Sequence, residues 1–198
     1  ELVLEHFPEV DKAQCIAIPQ ENALLGICIV VFSCAEDSRY FLSSAWKLEE
    51  IRRTVSRYTS PFVTVKVVNP QYEKIEVYCR VVLRDNPQRY ESKVLRQLVV
   101  LAQNCIAPWY RKREIPDSGQ SFSYKELHAR MVNHEDLLRL VLLEVDGVSL
   151  PDVDVETEDH VFKGSKPWSI LLPEIKIELL SPGDGIEKAE IGGNFIIK

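Results

Sequence analysis

The sequence predicts an α+β fold: a ferredoxin-like split β-α-β core with a C-terminal β-rich extension. Apolar strand patterns alternate with amphipathic helix patterns between residues 24 and 147. Their order is strand, helix, strand, and then strand, helix, short helix, strand. Right-handed crossovers leave few other topologies for two such β-α-β units. We therefore expect a lead-in segment at 1–23, the core at 24–147 and the extension at 148–198.

The first β-α-β unit begins with a strand over residues 24–34. This run is almost entirely apolar and rich in β-branched residues, which is typical of a strand buried on both faces and central in its sheet. Ser43 and Ser44 offer an N-cap for the helix that follows, and Pro61 lies beyond the helix end. Apolar residues of that helix recur at three- and four-residue spacing, as expected of one buried stripe. The stripe consists of Leu48, Ile51, Val55 and Tyr58.

The segment from Pro61 to Leu83 predicts a β-hairpin at the centre of the fold. A strand over 62–68 precedes a polar turn at 69–73, and a second strand covers 74–83. Alternate residues of the second strand are apolar, which predicts one buried face and one wetter face. The predicted buried set is Ile75, Val77, Cys79, Val81 and Leu83.

The second β-α-β unit contains two helices. Asn86-Pro87 supplies a cap and a first helical residue for a long helix that Pro108 ends. The four residues from Ser123 to Glu126 form a capping box, which opens a short additional helix. Residues 137–145 are the last core strand, and the chain turns away after it at Asp146-Gly147.

The C-terminal extension has strand patterns and no helix pattern. Short strands are predicted at 168–172 and 175–180, separated by Pro173, and a turn cluster follows at 181–185. This segment has little apolar sequence with which to build its own core. We expect it to pack on the first unit or on a partner.

Composition excludes several classes of protein. The 198 residues are 45% hydrophobic and carry a formal charge of -6, which argues against a nucleic-acid-binding surface as the main function. Five scattered cysteines are typical of reduced core thiols and of a reducing compartment. No apolar run is long enough to span a membrane, and no signal-peptide pattern opens the chain. Because the single methionine is Met131, we expect the chain to be a piece of a longer protein.

No motif indicates catalysis or cofactor binding. The acidic run at 152–159 lacks the glycine turn and terminal glutamate of a calcium loop. Neither a nucleophile elbow nor a phosphate-binding glycine loop occurs. We expect a non-enzyme, without metal or cofactor, that binds other proteins; a free-standing ferredoxin-like regulatory or small-ligand-binding module stays open as the alternative. The histidines also lack the spacing of metal ligands; they are His6, His128, His134 and His160.

Two aromatic sites follow a proline: Pro108-Trp109 after the long helix of the second unit, and Pro167-Trp168 before a strand. Tryptophan is enriched among residues that anchor protein interfaces, but it also closes hydrophobic cores. The residues alone leave both interpretations open.

Four sequence signatures occur in order: the Val-Val-Asn-Pro-x-Tyr-Glu run at 67–73, the alternating strand 75–81, Ala-Pro-Trp at 107–109, and Pro-Trp-Ser-Ile-Leu at 167–171. Together they resemble the C-terminal part of the baseplate J-like family. These are wedge proteins in the baseplates of contractile phage tails and phage-tail-like contractile injection systems. The resemblance covers nearly the whole chain, although the glycine-rich segment of the family after Pro-Trp is reduced here to Ser118-Gly119-Gln120.

The resemblance implies a structural role as a subunit of a particle. A protein of this family contacts other wedge subunits and copies of itself in a ring, and it is assembled in the cytoplasm into a phage tail or tail-like particle. The resemblance implies no catalytic residue, nucleic acid, membrane insertion or small-molecule substrate. The candidate interface or structural residues are Asn69, Pro70, Tyr72, Glu73, Pro108, Trp109, Pro167 and Trp168.

Overall fold

The computed structural model describes residues 1–18, 26–34, 40–84, 91–112, 114–135, 137–150 and 158–180. Helices and strands alternate along these ranges, which confirms the α+β class. The helices are α1 (Leu2–His6), α2 (Ala45–Tyr58), α3 (Glu91–Ile106), α4 (Pro108–Lys112) and α5 (Tyr124–Val132). The strands are β1 (Lys12–Ile18), β2 (Gly26–Phe32), β3 (Thr64–Val68), β4 (Gln71–Leu83), β5 (Ser121–Ser123), β6 (Leu137–Val145), β7 (Val161–Lys163) and β8 (Ser169–Leu179).

The chain divides into two compact units that interleave along the sequence. Unit 1 consists of Glu1–Glu73, Lys112–Gln120 and Lys163–Ile170. Unit 2 consists of Lys74–Arg111, Ser121–Phe162 and Leu171–Lys198. Strands β4 and β8 each begin in unit 1 and continue into unit 2.

Unit 1 contains the first predicted β-α-β unit. Strand β2 is central in the order β1-β2-β3, antiparallel to β1 and parallel to β3, with α2 as the connection of the parallel pair. Residues on both faces of β2 are buried, among them Val30 and Val31, which confirms the prediction for this strand. Strand β1 was not predicted; it lies in the expected lead-in segment, where Lys12 and Gln14 leave only a short apolar run at 15–18.

Helices α1 and α2 cover one face of this sheet. Ser44 caps α2 as predicted, since its hydroxyl accepts a hydrogen bond from the Lys47 N–H at 3.3 Å. Tyr58 was wrongly assigned to the buried stripe: it is 65% exposed, because it is the last residue of α2, where its ring lies edge-on to His6. The core of unit 1 contains Val3, Phe7, Val10, Ile29, Val31, Ile51, Val55 and Val65.

Unit 2 contains a second three-stranded sheet, of order β6-β4-β8. Strand β4 is antiparallel to β6. Two side-chain contacts show that β4 and β8 run parallel. Lys74 pairs with Glu174, and Tyr78, four residues further along β4, bonds to Glu178, four residues further along β8. The predicted buried face of β4 is confirmed, and α3 and α5 contribute Leu98, Ala102, Leu127 and Met131 to the same core.

The predicted hairpin is wrong, because β3 and β4 belong to different sheets. The described strands form three sheets rather than the single sheet of a ferredoxin-like fold. In a split β-α-β arrangement another strand separates the two parallel strands, whereas here β2 and β3 pair directly from Gly26↔Thr64 to Val30↔Val68. The last predicted core strand is confirmed as β6, and so is the turn after it, where Asp146 and Gly147 have φ of 49° and 78°.

The prediction of two short strands on either side of Pro173 is wrong, because the structure has a single strand there, β8. It continues through this proline as one strand. Because β8 is at the edge of its sheet, none of the described strands pairs with its outer side, and a residue without an N–H is tolerated there. The predicted Asn86-Pro87 cap, most of the acidic run at 152–159 and the turn cluster at 181–185 lie outside the described residues.

The prediction of cysteines in the core is confirmed for only some of them. Cys28 and Cys79 are buried, and burial raises the pKa of the Cys79 thiol to about 12. Cys15 and Cys34 are exposed. Among the described helices, none has the length and apolarity to cross a membrane.

Candidate functional site

Asn69 is a structural clamp in unit 1. Its side-chain oxygen accepts a hydrogen bond from the Ser43 N–H at 2.8 Å, and its amide nitrogen donates to the Ser43 carbonyl, also at 2.8 Å. The side chain therefore satisfies both polar groups of one backbone residue, as a neighbouring strand would. Pro70 is buried beside it. The contact fixes the end of β3 against the segment that leads into α2.

Tyr72 contacts the same segment, at residues that precede Ser43. Its hydroxyl accepts a hydrogen bond from the Phe41 N–H at 3.0 Å, and its ring lies edge-on to Tyr40 with centroids 4.9 Å apart. Burial raises the pKa of the Tyr72 hydroxyl, which keeps this group neutral. The hydrogen bond and the ring contact both lie within unit 1.

Glu73 joins two distant parts of the sequence. Its carboxylate accepts hydrogen bonds from the Ser165 N–H at 2.9 Å, from the Ser165 hydroxyl at 2.6 Å and from the Ser169 hydroxyl. Desolvation alone would raise the pKa of Glu73, but these hydrogen bonds and the charge of Lys166 outweigh it, so the net pKa is lowered. Gln71 donates a further hydrogen bond at 2.9 Å. The ionised carboxylate thus closes a loop across 92 residues of sequence.

We expect Glu73→Gln to destabilise the protein by about 1–2 kcal/mol, because the amide replaces one of the acceptor oxygens with a donor facing Ser165. The folded-state pKa of Glu73 is lowered, so its stabilisation is present above the pKa of the unfolded chain and is lost as pH falls through the folded-state pKa. The difference in unfolding free energy between wild type and variant, measured by urea denaturation, should therefore shrink on acidification. A difference that stays constant with pH would show that the charge of Glu73 is not involved.

Pro167 and Trp168 lie next to the Glu73 contacts. The Gln71 N–H donates to the Trp168 carbonyl at 3.1 Å. The Trp168 ring is half-buried, and the Lys66 ammonium lies 4.9 Å from its centroid. The structure therefore brings together six of the predicted site residues, from the motif at 69–73 and from Pro167-Trp168.

The reduced glycine segment contacts the same region through Gly119. Its N–H donates to the Ser169 carbonyl at 3.0 Å, and its φ is 73°. A Cβ atom at this position would lie 2.8 Å from the Pro167 carbonyl oxygen. The left-handed backbone and this close approach both require glycine.

Pro108 and Trp109 belong to unit 2. Pro108 is the first residue of α4, and Trp109 is buried, with 4% of its surface exposed. The Trp109 ring packs edge-on against Tyr110, with centroids 5.6 Å apart. This burial favours the core interpretation of Trp109.

Exposed aromatic side chains occur instead around α2, where sequence reasoning missed them. Trp46 is 70% exposed at the beginning of α2, and Phe62 is 75% exposed just after its end. A signal was present for Trp46, because it lies outside the three- and four-residue spacing of the buried stripe. Aromatic side chains are enriched at protein interfaces relative to the rest of the surface, so each ring is a candidate contact.

Paired charges lie along α2, and one of them is beside the Trp46 ring. Glu49 accepts hydrogen bonds from Arg52 at 2.7 Å and from Arg53 at 2.9 Å, which lowers the pKa of Glu49 to about 2. Lys47 pairs with Glu9 and lies 5.2 Å from the Trp46 ring centroid. The Lys47 ammonium therefore lies within cation–π distance of the exposed Trp46 ring. In the described part of the chain, no group of His, Cys, Asp and Glu side chains is arranged to hold a metal ion.

Comparison with known proteins identifies a shared fold. No family model matches the sequence, and no curated protein matches it. Among solved structures, a chain in the cryo-EM structure of the anti-feeding prophage baseplate, six-fold symmetrised, matches over 87% of this chain with a TM-score of 0.57. At 17% identity the two chains share the fold, and this chain spans 35% of the other.

Proposed function

We propose that this chain is a structural component of the baseplate of a contractile tail or injection system. The observation that carries the proposal is the fold shared with a chain of the anti-feeding prophage baseplate over 87% of the sequence. The four sequence signatures described above resemble the baseplate J-like family independently of that match. Two unrelated lines of reasoning therefore lead to the same class of particle.

The geometry of the site supports a role without catalysis. The polar atoms of Asn69 and Glu73 are engaged in hydrogen bonds within unit 1, where they join segments distant in sequence. Trp46 and Phe62, in contrast, expose large apolar rings. We therefore assign architecture to the motif residues and protein contact to the residues around α2.

In finer terms, we propose a wedge subunit of the baseplate J-like kind. Its partners are other wedge subunits and copies of itself in a ring, and it is assembled in the cytoplasm. The proposal includes no catalytic activity, nucleic acid, membrane insertion or small-molecule substrate. The exposed aromatic residues of unit 1 are the proposed contacts to a neighbouring subunit.

The proposal is tested by affinity purification of the tagged full-length protein from cells that make intact particles. We expect the sheath, the tube and other baseplate subunits to co-purify, and deletion of the gene to abolish particle assembly. Recovery of the protein as an isolated monomer from such cells, with normal particles after deletion, would overturn the proposal.

A further inference from the structure

Unit 2 carries a groove of about 690 Å³ between α3 and the C-terminal part of α5. We name it the basic groove. Its defining side chains are Lys93, Arg96, Val100, Leu101, Arg111 and Arg130.

The sequence of α3 explains why these side chains share one wall. Lys93, Arg96 and Val100 are spaced by three and four residues, so they follow one side of the helix. The buried residues Val94 and Leu98 follow another side, which contacts the core. The wall is therefore the solvent-facing part of an amphipathic helix.

The charge of the basic groove is strongly one-sided. None of the side chains that line it is acidic. Arg130 pairs with Glu126 at 2.7 Å, but no carboxylate of the described residues lies within ion-pair distance of Lys93, Arg96 or Arg111. The chain as a whole has a formal charge of -6, so this concentration of cations is local.

The groove also offers apolar surface. Val100 and Leu101 are partly exposed along it, between the cationic side chains. From Lys93 to Asn104 the wall extends about 16 Å at the helical rise, which matches about five residues of extended chain. A ligand that complements it is short, negatively charged and partly apolar.

We propose that the basic groove binds an acidic segment of a partner protein in which a single face of the extended chain carries both carboxylates and apolar side chains. Carboxylates would pair with Lys93, Arg96 and Arg111, and the apolar side chains would cover Val100 and Leu101. Nucleic acid fits less well, because the negative net charge of the chain repels a long polyanion while a short segment experiences mainly the local field. The inference rests on the groove alone and holds whether or not the protein belongs to a baseplate.

The test is fluorescence anisotropy with the full-length protein and a labelled octapeptide of repeating Glu-Glu-Val-Val, which carries both side chains on each face when extended. We expect saturable binding that weakens as salt rises, and no binding of the Gln-Gln-Val-Val counterpart. Reversing two groove charges with Arg96→Glu and Arg111→Glu should lower the affinity about tenfold or more.

A matched control reverses two exposed cations outside the groove, with Arg53→Glu and Lys74→Glu, and so changes the net charge equally. We expect this control to bind like wild type. The milder pair Arg96→Gln and Arg111→Gln should bind with intermediate affinity, which keeps the test valid if the charge-reversed variant fails to fold.

Three results would overturn the inference. The acidic peptide could fail to bind, or both charge-reversed variants could lose affinity equally, which would show a non-specific effect of net charge. Tighter binding of a single-stranded oligonucleotide that depends on Arg96 and Arg111 would assign the groove to nucleic acid instead.

Discussion

Replacing Trp46 and Phe62 together with alanine is expected to reduce incorporation of the protein into particles about tenfold or more. The free energy of unfolding of the same double variant should lie within about 0.5 kcal/mol of the wild-type value, because both rings are exposed and neither is part of the core of unit 1. The combination of normal stability and failed assembly is the signature of an interface residue.

The measurement has two parts. Incorporation is quantified as the ratio of this protein to sheath protein in purified particles, and stability is measured by urea denaturation of the free protein. A control variant, Leu138→Ala with Val161→Ala, removes apolar side chains that are 56% and 53% exposed in unit 2. We expect the control to assemble normally. Normal incorporation of the Trp46 and Phe62 variant would place the subunit contact elsewhere.

The second large effect is expected in stability. Trp109→Ala should lower the unfolding free energy by about 3–5 kcal/mol, because it removes a buried ring and leaves a cavity. Trp109 is 4% exposed, and its ring packs against Tyr110. Far-UV circular dichroism during urea denaturation measures the change.

Trp168→Ala is the matched comparison for Trp109→Ala. The Trp168 ring is half-buried and lies under the Lys66 and Lys166 ammonium groups, so its loss should cost about 1–2 kcal/mol. If Trp109→Ala left stability unchanged but prevented assembly, Trp109 would be an interface anchor instead of a core residue.

The elements that sequence predicts well are those determined by local patterns. Helix α2, its Ser44 cap and the buried face of β4 follow from residue spacing within one element, and each is confirmed. The capping box is confirmed too, since the Ser123 hydroxyl accepts a hydrogen bond from the Glu126 N–H at 3.1 Å. Patterns of this kind fix which side of an element is buried.

Strand pairing is not fixed by the same patterns. Successive strands usually pair, which predicts a hairpin for the strands on either side of Asn69-Pro70. Instead β3 pairs with β2 and β4 pairs with β6 and β8, so the choice of partner depends on contacts distant in sequence. An apolar alternation fits each of these partners equally well.

The contacts of the candidate site could not be predicted from local patterns either. Nothing local to Glu73 indicates that Ser165 and Ser169 complete its hydrogen bonds, because 92 and 96 residues separate them. The exposure of Trp46 could be inferred from its place outside the apolar stripe, whereas the burial of Trp109 could not, since both alternatives suit a tryptophan after a proline.

The most direct test of the proposed baseplate role is a cryo-EM reconstruction of the particle from cells that produce the full-length protein. The proposal predicts density for this fold in the baseplate, repeated around the tail axis, with Trp46 and Phe62 against a neighbouring subunit. A complete baseplate in which no density fits the two units described above would contradict it.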